Sequence, residues 1–164
     1  MRMSLILAAT GVAMAAMSTV AGATTEAAQP LMNLKASDQG MAYCLSVENN
    51  SVAEGAKVVL WSCTLESAQN WTYTSAYQYK NAKSGKCLST LGGGTANGTK
   101  LIQATCGGGP EQKWEKSPPT ASWYALENVK SGRVLSLANN GAITNGTPAI
   151  LWAYNGGGEQ KWSQ

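Results

Sequence analysis

Three copies of a Gln-x-Trp motif constrain this sequence more than any other feature. The copies end at Trp71, Trp114 and Trp162, so successive motifs lie 43 and 48 residues apart. A period of this length indicates a chain built from repeated structural units. Such units fold together, because one unit alone cannot bury its apolar face.

Segments upstream of the motifs repeat in the same register. One set of matching segments is YCLSV (43–47), KCLST (86–90) and RVLSL (133–137). A second match joins YQYKNAKSGK (77–86) and YALENVKSGR (124–133), with a looser first copy around LMNLKASDQGMAY. The whole sequence from about residue 31 to its end is therefore covered by three copies of one unit.

The stretches between these anchors predict short strands and tight turns. Short apolar runs such as Val58-Val59-Leu60-Trp61 alternate with turn-formers such as Asn97-Gly98 and Asn139-Asn140-Gly141. This pattern is typical of β-hairpins. No stretch after the leader shows a sustained helical period, so we predict an all-β domain. Three units are too few for a propeller of about four to eight blades, which favours three-fold packing around one core.

The first 23 residues have the pattern of a secretory signal peptide. Arg2 gives a positive start, residues 5–17 form an apolar run, and Ala21-Gly22-Ala23 fits a cleavage site. The run is too short and too rich in alanine for a membrane span. We expect a secreted protein whose mature domain covers residues 24–164, with repeats at about 31–73, 74–120 and 121–164.

The composition excludes several functions. The sequence contains no histidine, which rules out Ser-His and Cys-His nucleophile pairs and the HExxH zinc motif. The lysines are scattered, so no basic stripe indicates a nucleic-acid partner. Glu111, Glu115 and Glu159 show no sign of an acid/base pair. The sequence therefore predicts no enzyme activity, no cofactor and no metal site.

The three Gln-x-Trp units, with a Cys-Leu-x strand at the start of the first two, resemble the ricin B-chain type lectin family. The resemblance covers residues 31–164. It implies a β-trefoil of about twelve strands with pseudo-three-fold symmetry. It also implies a non-enzymatic module whose partners are glycans.

Two groups of tryptophan are expected to have different roles. Trp71, Trp114 and Trp162 of the motifs are predicted to build the core, since a buried indole contributes a large apolar area. Trp61 and Trp152 share one position in the first and third repeats, where the second has Ala104. A core position would not tolerate this change easily, so we interpret them as platforms for a sugar ring. The alternative is that they only cover a loop.

The resemblance also implies which residues surround these platforms. The predicted carbohydrate-binding residues are Ser46, Trp61 and Gln69 in the first repeat, and Ser136, Trp152, Glu159 and Gln160 in the third. The second repeat has Ser89 and Gln112 but lacks the aromatic residue. All three copies have Ser where sugar-binding members of the family have Asp, which puts the usual sugar recognition in doubt.

Four cysteines occupy matching positions in the first two repeats. Sequence alone allows three pairings, and the repeat register favours Cys44–Cys63 and Cys87–Cys106, each 19 residues apart. Nothing supports zinc binding or a reactive thiol, because there is no CxxC and no histidine. In the third repeat Val134 and Tyr154 replace the cysteines, and we expect them to pack together.

The function that these observations favour is a secreted carbohydrate-binding module with sites in the first and third repeats. One alternative is a β-trefoil with decayed sugar sites that acts as a protein-binding scaffold or toxin subunit. Another is a hydrolase inhibitor that presents the loop at residues 116–120, in which no residue is diagnostic.

Overall fold

The computed structural model describes residues 27–64 and 66–164, so the predicted signal peptide lies outside the described residues. Two short α-helical segments occur there besides five 3₁₀ turns, namely α1 (Leu34–Asp38) and α2 (Ala138–Gly141), and α2 is a left-handed turn at Asn139 and Asn140. Neither is long or apolar enough to cross a membrane. The strands are β1 (Gln29–Pro30), β2 (Met32–Asn33), β3 (Tyr43–Val47), β4 (Val58–Ser62), β5 (Asn70–Tyr73), β6 (Tyr79–Asn81), β7 (Cys87–Thr90), β8 (Leu101–Ala104), β9 (Trp114–Ser117), β10 (Ala125–Asn128), β11 (Val134–Leu137), β12 (Thr147–Trp152) and β13 (Trp162–Ser163).

Twelve of these strands form three sets of four, β2–β5, β6–β9 and β10–β13. The fourth strand of each set pairs antiparallel with the first strand of the next, in the pairs β5–β6 and β9–β10. The last pair, β13–β2, joins the third set to the first and closes the ring. The prediction of an all-β β-trefoil with three internal repeats is confirmed. The hydrogen-bonded strands lie in two sheets, in the orders β1-β5-β6-β7-β8 and β13-β2-β3-β4-β12-β11-β10-β9.

The second and third strands of each set form a hairpin, and the three hairpins meet one another. Strand β12 pairs with β4, with Thr147 opposite Leu60. Isolated bridges join Lys57 to Ile102 and Lys100 to Ile150 in the equivalent places. Each hairpin therefore lies against a hairpin from another repeat.

The motif tryptophans lie at the centre of the molecule. Each is 0% exposed, and each indole N–H donates to a backbone carbonyl of the second strand of its own repeat. The bonds are Trp71 to Leu45 (3.0 Å), Trp114 to Leu88 (3.1 Å) and Trp162 to Leu135 (3.2 Å). Each buried indole N–H thus has a hydrogen-bond partner. A buried N–H without a partner would cost stability.

Two disulfides link the second strand of a repeat to the segment after its third strand. They are Cys44–Cys63 and Cys87–Cys106, with Cα atoms 5.1 Å apart in both. In the third repeat Val134 is 2% exposed, whereas Tyr154 is 58% exposed. The expectation that Tyr154 packs in place of the bridge is wrong. More than half of Tyr154 is open to solvent, so its ring does not fill the place of a buried bridge.

Candidate functional site

The glutamine of each Gln-x-Trp motif holds the loop that precedes it. Gln69 donates from Nε2 to the carbonyl oxygen of Ser62 (2.9 Å) and accepts at Oε1 from the N–H of Thr64 (2.7 Å). Gln112 and Gln160 make the same two bonds, at 2.9 and 2.8 Å, to the residues seven and five positions upstream. All three amides are buried. In the first and third repeats, the loop held in this way follows directly after the platform tryptophan.

Trp61 and Trp152 occupy equivalent places at the ends of β4 and β12. Trp61 lies opposite Cys44 in the strand register, and Trp152 lies opposite Val134. Their side chains are 38% and 42% exposed, in contrast to the fully buried motif tryptophans. A large aromatic surface is therefore open to solvent at the same point of two repeats.

The residues predicted for the first repeat lie around one pocket of about 220 Å³, here called the first-repeat pocket. It is lined by Ser46, Val47, Asn49, Asn50, Trp61, Thr64, Glu66 and Gln69. The hydroxyl of Ser46 makes only a long bond of 3.4 Å to the carbonyl of Val47. Ser46, Trp61 and Gln69 are thus together in space, and their contact with a sugar stays a prediction.

A second pocket, of about 340 Å³, lies at the equivalent place of the third repeat and is here called the third-repeat pocket. It is lined by Ser136, Leu137, Ala138, Asn139, Asn140, Gly141, Ile150, Trp152, Asn155 and Glu159. Of the residues predicted for this repeat, Ser136, Trp152 and Glu159 line the pocket. Gln160 is 0% exposed and does not line it.

The first-repeat pocket has a polar wall that the sequence analysis missed. Asn50 donates from Nδ2 to Oε2 of Glu66 at 2.9 Å, which fixes the carboxylate at the pocket. The backbone of Asn50 is left-handed, with φ of 57°, a conformation that Asn tolerates better than most residues. Its Oδ1 is buried and has no hydrogen-bond partner among the described residues. An unpaired buried acceptor is uncommon in folded proteins.

The third-repeat pocket holds a carboxylate in a similar way. Asn155 donates from Nδ2 to Oε1 of Glu159 at 3.1 Å and accepts at Oδ1 from the N–H of Gly157 at 2.7 Å. Below the left-handed turn of α2, Lys35 donates to the carbonyl of Gly141 at 2.8 Å. Each pocket therefore combines an exposed tryptophan with a glutamate that an asparagine orients.

The second repeat lacks these features. Ala104 takes the tryptophan position opposite Cys87. Gly92 and Gly93 stand where the first and third repeats have paired asparagines, and they keep the same left-handed backbone, with φ of 60° and 65°. The sequence did carry a signal for the polar wall. The two repeats that keep the tryptophan both have an Asn-Asn doublet, Asn49-Asn50 and Asn139-Asn140. Glu66 had no such signal, because it has no counterpart in the other repeats.

Comparison with known families identifies this arrangement. The sequence pattern of the ricin-type β-trefoil lectin domain matches residues 31–162. The chain belongs to this family. The predicted resemblance to ricin B-type lectins is confirmed, and the fold and family support a carbohydrate-binding module. No curated protein sequence matches the chain significantly.

Solved structures agree with the family assignment. The designed three-fold symmetric protein ThreeFoil is 28% identical with a TM-score of 0.73, and the match covers 82% of this lectin-type chain and 94% of ThreeFoil. An exo-β-1,3-galactanase from Clostridium thermocellum is 24% identical with a TM-score of 0.72, covering 83% of this chain but only 29% of the galactanase. The Rhizoctonia solani agglutinin is 22% identical with a TM-score of 0.68, covering 87% of this chain and 94% of the agglutinin. The last two likenesses show the fold alone.

Proposed function

We propose that this protein is a secreted, non-enzymatic lectin that binds glycans in the first-repeat and third-repeat pockets. The observation that carries the proposal is the exposure of Trp61 and Trp152 at equivalent positions, each beside a pocket with polar walls. The second repeat, which has Ala104 at this position, contributes no platform.

Stacking on the tryptophans supplies the apolar part of the binding energy. One face of a sugar ring carries mainly C–H groups and fits the flat surface of an indole, which combines apolar area with a defined geometry. Binding pockets commonly combine such apolar surfaces with a few polar groups that fix the orientation of the ligand. Both pockets are small, at about 220 and 340 Å³, so the exposed indole offers a large share of the surface that a sugar can contact.

The hydroxyl groups of the sugar bind to the polar walls. Ser46 and Ser136 offer neutral hydroxyls at the position where other family members have Asp. Glu66 and Glu159 supply the ionised acceptors from the opposite segment of their repeats. Hydrogen bonds to a carboxylate are about twice as strong as those between neutral groups. In this proposal the ionised acceptor lies in the loop before the Gln-x-Trp tryptophan, whereas other family members have it as an Asp on the second strand.

The predicted glutamines contribute mainly through the loop. Gln69 and Gln160 already use both ends of their amides in bonds to the backbone. Gln69 holds the segment that leads to Glu66, and Gln160 holds the segment that contains Asn155. Gln69 lines the first-repeat pocket, so a direct bond from its Nε2 to a sugar is a further part of the proposal, whereas the part proposed for the buried Gln160 is to hold its loop.

Two pockets on one domain suit a polymeric or surface-bound glycan. Each pocket alone binds weakly, and simultaneous use of both raises the apparent affinity. The two disulfides fit folding in an oxidising compartment, which supports export under the predicted signal peptide.

Glycan-array binding and titration of the mature protein, residues 24–164, test this function. Trp61→Ala and Trp152→Ala should each remove part of the binding, and the double variant should remove all of it while the protein stays folded. Leu91→Ala is the matched control, because Leu91 is 52% exposed in the second repeat, outside both pockets. Undiminished binding by the folded double variant would contradict the proposal.

A protein-binding scaffold or toxin subunit is the second candidate function. It is favoured by Ser46, Ser89 and Ser136, which replace the expected Asp in every repeat. Under this candidate the folded wild-type protein gives no signal on the array. The tryptophans would then belong to a contact surface for a protein.

A further inference from the structure

The strand end that carries Trp61 is held by a loop of the third repeat. Ser62, the next residue, donates its N–H and its hydroxyl to Oδ1 of Asn145, at 2.7 and 2.8 Å. Leu60, the preceding residue, accepts at its carbonyl from the N–H of Gly146 at 2.9 Å. The backbone on both sides of Trp61 is thus bound to one Asn-Gly turn.

The strand end that carries Trp152 is held in the same way by a loop of the second repeat. Ala153 donates its N–H to Oδ1 of Asn97 at 2.9 Å. Leu151 accepts at its carbonyl from the N–H of Gly98 at 2.8 Å. The arrangement is therefore a repeated feature of the fold, with each turn crossing a repeat boundary.

The two Asn-Gly turns that hold the strand ends of Trp61 and Trp152 are here called clamps. Further contacts fix both of them. Arg133 donates to Oδ1 of Asn97 and to the carbonyl of Thr95, at 2.7 Å in both bonds. At the other clamp, a Cβ added to Gly146 would lie 3.9 Å from Cζ3 of Trp61, so the turn lies beside the indole ring itself. The φ of Gly146 is +86°, which favours glycine at this point.

The second repeat shows what happens where the tryptophan is absent. There Thr105, the residue after Ala104, donates its N–H to Glu54 at 2.9 Å, and Gly55 donates to the carbonyl of Gln103. The clamp therefore persists as a structural device, but its acceptor is a carboxylate instead of an amide. The Asn-Gly form occurs at the two repeats that keep a tryptophan.

From this geometry we infer that Asn145 and Asn97 are positioning residues for the sugar platforms Trp61 and Trp152. The inference rests on the proposed lectin function and deepens it. Each binding site is completed by a loop from another repeat. Without the acceptor, the N–H of the residue after the tryptophan loses its hydrogen bond, and the strand end is held less firmly. Binding a sugar then has to order the platform, which lowers affinity.

The experiment isolates one pocket at a time. In a Trp152→Ala background, the measured hexoside binding comes from the first-repeat pocket alone. There, Asn145→Ala is expected to weaken binding of methyl hexosides (galactoside, glucoside and mannoside) about fivefold to tenfold. Asn145→Asp keeps an acceptor for both donors and should stay within about twofold of the background. Asn97→Ala is the matched control, since it acts on the other platform. The reciprocal set uses a Trp61→Ala background.

A second readout needs no sugar. In 5-fluorotryptophan-labelled protein, Asn145→Ala should shift and broaden the ¹⁹F resonance of Trp61 and leave that of Trp152 unchanged. Asn97→Ala should do the reverse. If the wild type binds neither a hexoside nor any glycan of the array, the proposed lectin function fails, and the ¹⁹F spectra still decide the positioning. An unaltered Trp61 resonance in Asn145→Ala, or equal hexoside affinities of Asn145→Ala and Asn97→Ala, would overturn the inference.

Discussion

Asn81 donates its side-chain amide to the carbonyl oxygen of Ala68 at 2.9 Å, across the boundary between the second and first repeats. Its Oδ1 accepts a backbone N–H two residues later, at 3.1 Å. Asn33 and Asn128 make equivalent contacts with the Gln-x-Trp turns of their own preceding repeats, at 3.4 and 3.1 Å. One buried asparagine therefore locks each repeat to its predecessor.

Replacement of Asn81 by Ala should destabilise the whole domain. The change leaves the buried carbonyl of Ala68 and the part-buried N–H groups of Lys83 and Ser84 without their partner, which costs about 2 kcal/mol. Urea unfolding followed by tryptophan fluorescence measures this loss. Lys80→Ala, an exposed change on the same strand, should stay within about 0.5 kcal/mol of the wild type. A loss no larger in Asn81→Ala than in Lys80→Ala would contradict the role of this contact.

The fold could be predicted because its main constraint is local in sequence. Each Gln-x-Trp ending supplies a core tryptophan and a turn, and the turn-rich spacing leaves no room for long helices. The same alignment placed Asn81 and Asn128 in register, yet it gave them no role. Their bonds run to a different repeat, and only the closed ring brings those segments together.

The site was predictable in its aromatic part and less so in its polar part. Trp61 and Trp152 stood out because Ala104 breaks their symmetry. Glu66 reaches the first-repeat pocket only because the Gln69 amide holds the loop around it, and this depends on side-chain contacts. Tyr154 was placed by register alone, which does not show whether a side chain is buried or exposed.

Glu54 is predicted to make stability depend on pH. Hydrogen bonds from the backbone N–H and the hydroxyl of Thr105, and the nearby Lys86 ammonium at 3.3 Å, lower the pKa of Glu54 below its ordinary value of 4.5. A lowered pKa in the folded state stabilises the fold above the unfolded pKa. This contribution is lost as the pH falls below 4.5 towards the folded pKa.

Glu54→Gln tests this linkage. The variant should be less stable than the wild type at pH 7. The difference between their free energies of unfolding should become smaller as the pH is lowered from 5 to 3. Urea unfolding at several pH values gives both free energies. Glu127→Gln, an exposed carboxylate in the third repeat, is the control. A difference in free energy of unfolding that stays constant across this range would refute the role of Glu54 in the pH dependence.

The two disulfides should contribute equally to stability. Both close loops with a sequence separation of 19 residues, and chain entropy gives about 3 kcal/mol for such a loop. The paired replacements Cys44→Ala/Cys63→Ala and Cys87→Ala/Cys106→Ala should each lower the free energy of unfolding by this amount. The third repeat folds without a bridge, so each variant should still fold. Losses that differ by more than about 1 kcal/mol would show that local packing, rather than loop entropy, sets the value.

Glu66→Gln should weaken sugar binding without weakening the fold. Glutamine has nearly the same shape and can still accept from Asn50, but it lacks the ionised acceptor that we assign to the sugar hydroxyls. Titration in a Trp152→Ala background should show an affinity about threefold to tenfold lower. Because Glu66 is exposed, the urea midpoint should not move. Glu115→Gln, an exposed carboxylate outside both pockets, should leave the affinity unchanged. If Glu66→Gln binds as well as Glu115→Gln, the carboxylate has not replaced the missing Asp, and Ser46 is the acceptor of the sugar hydroxyl in the first-repeat pocket instead.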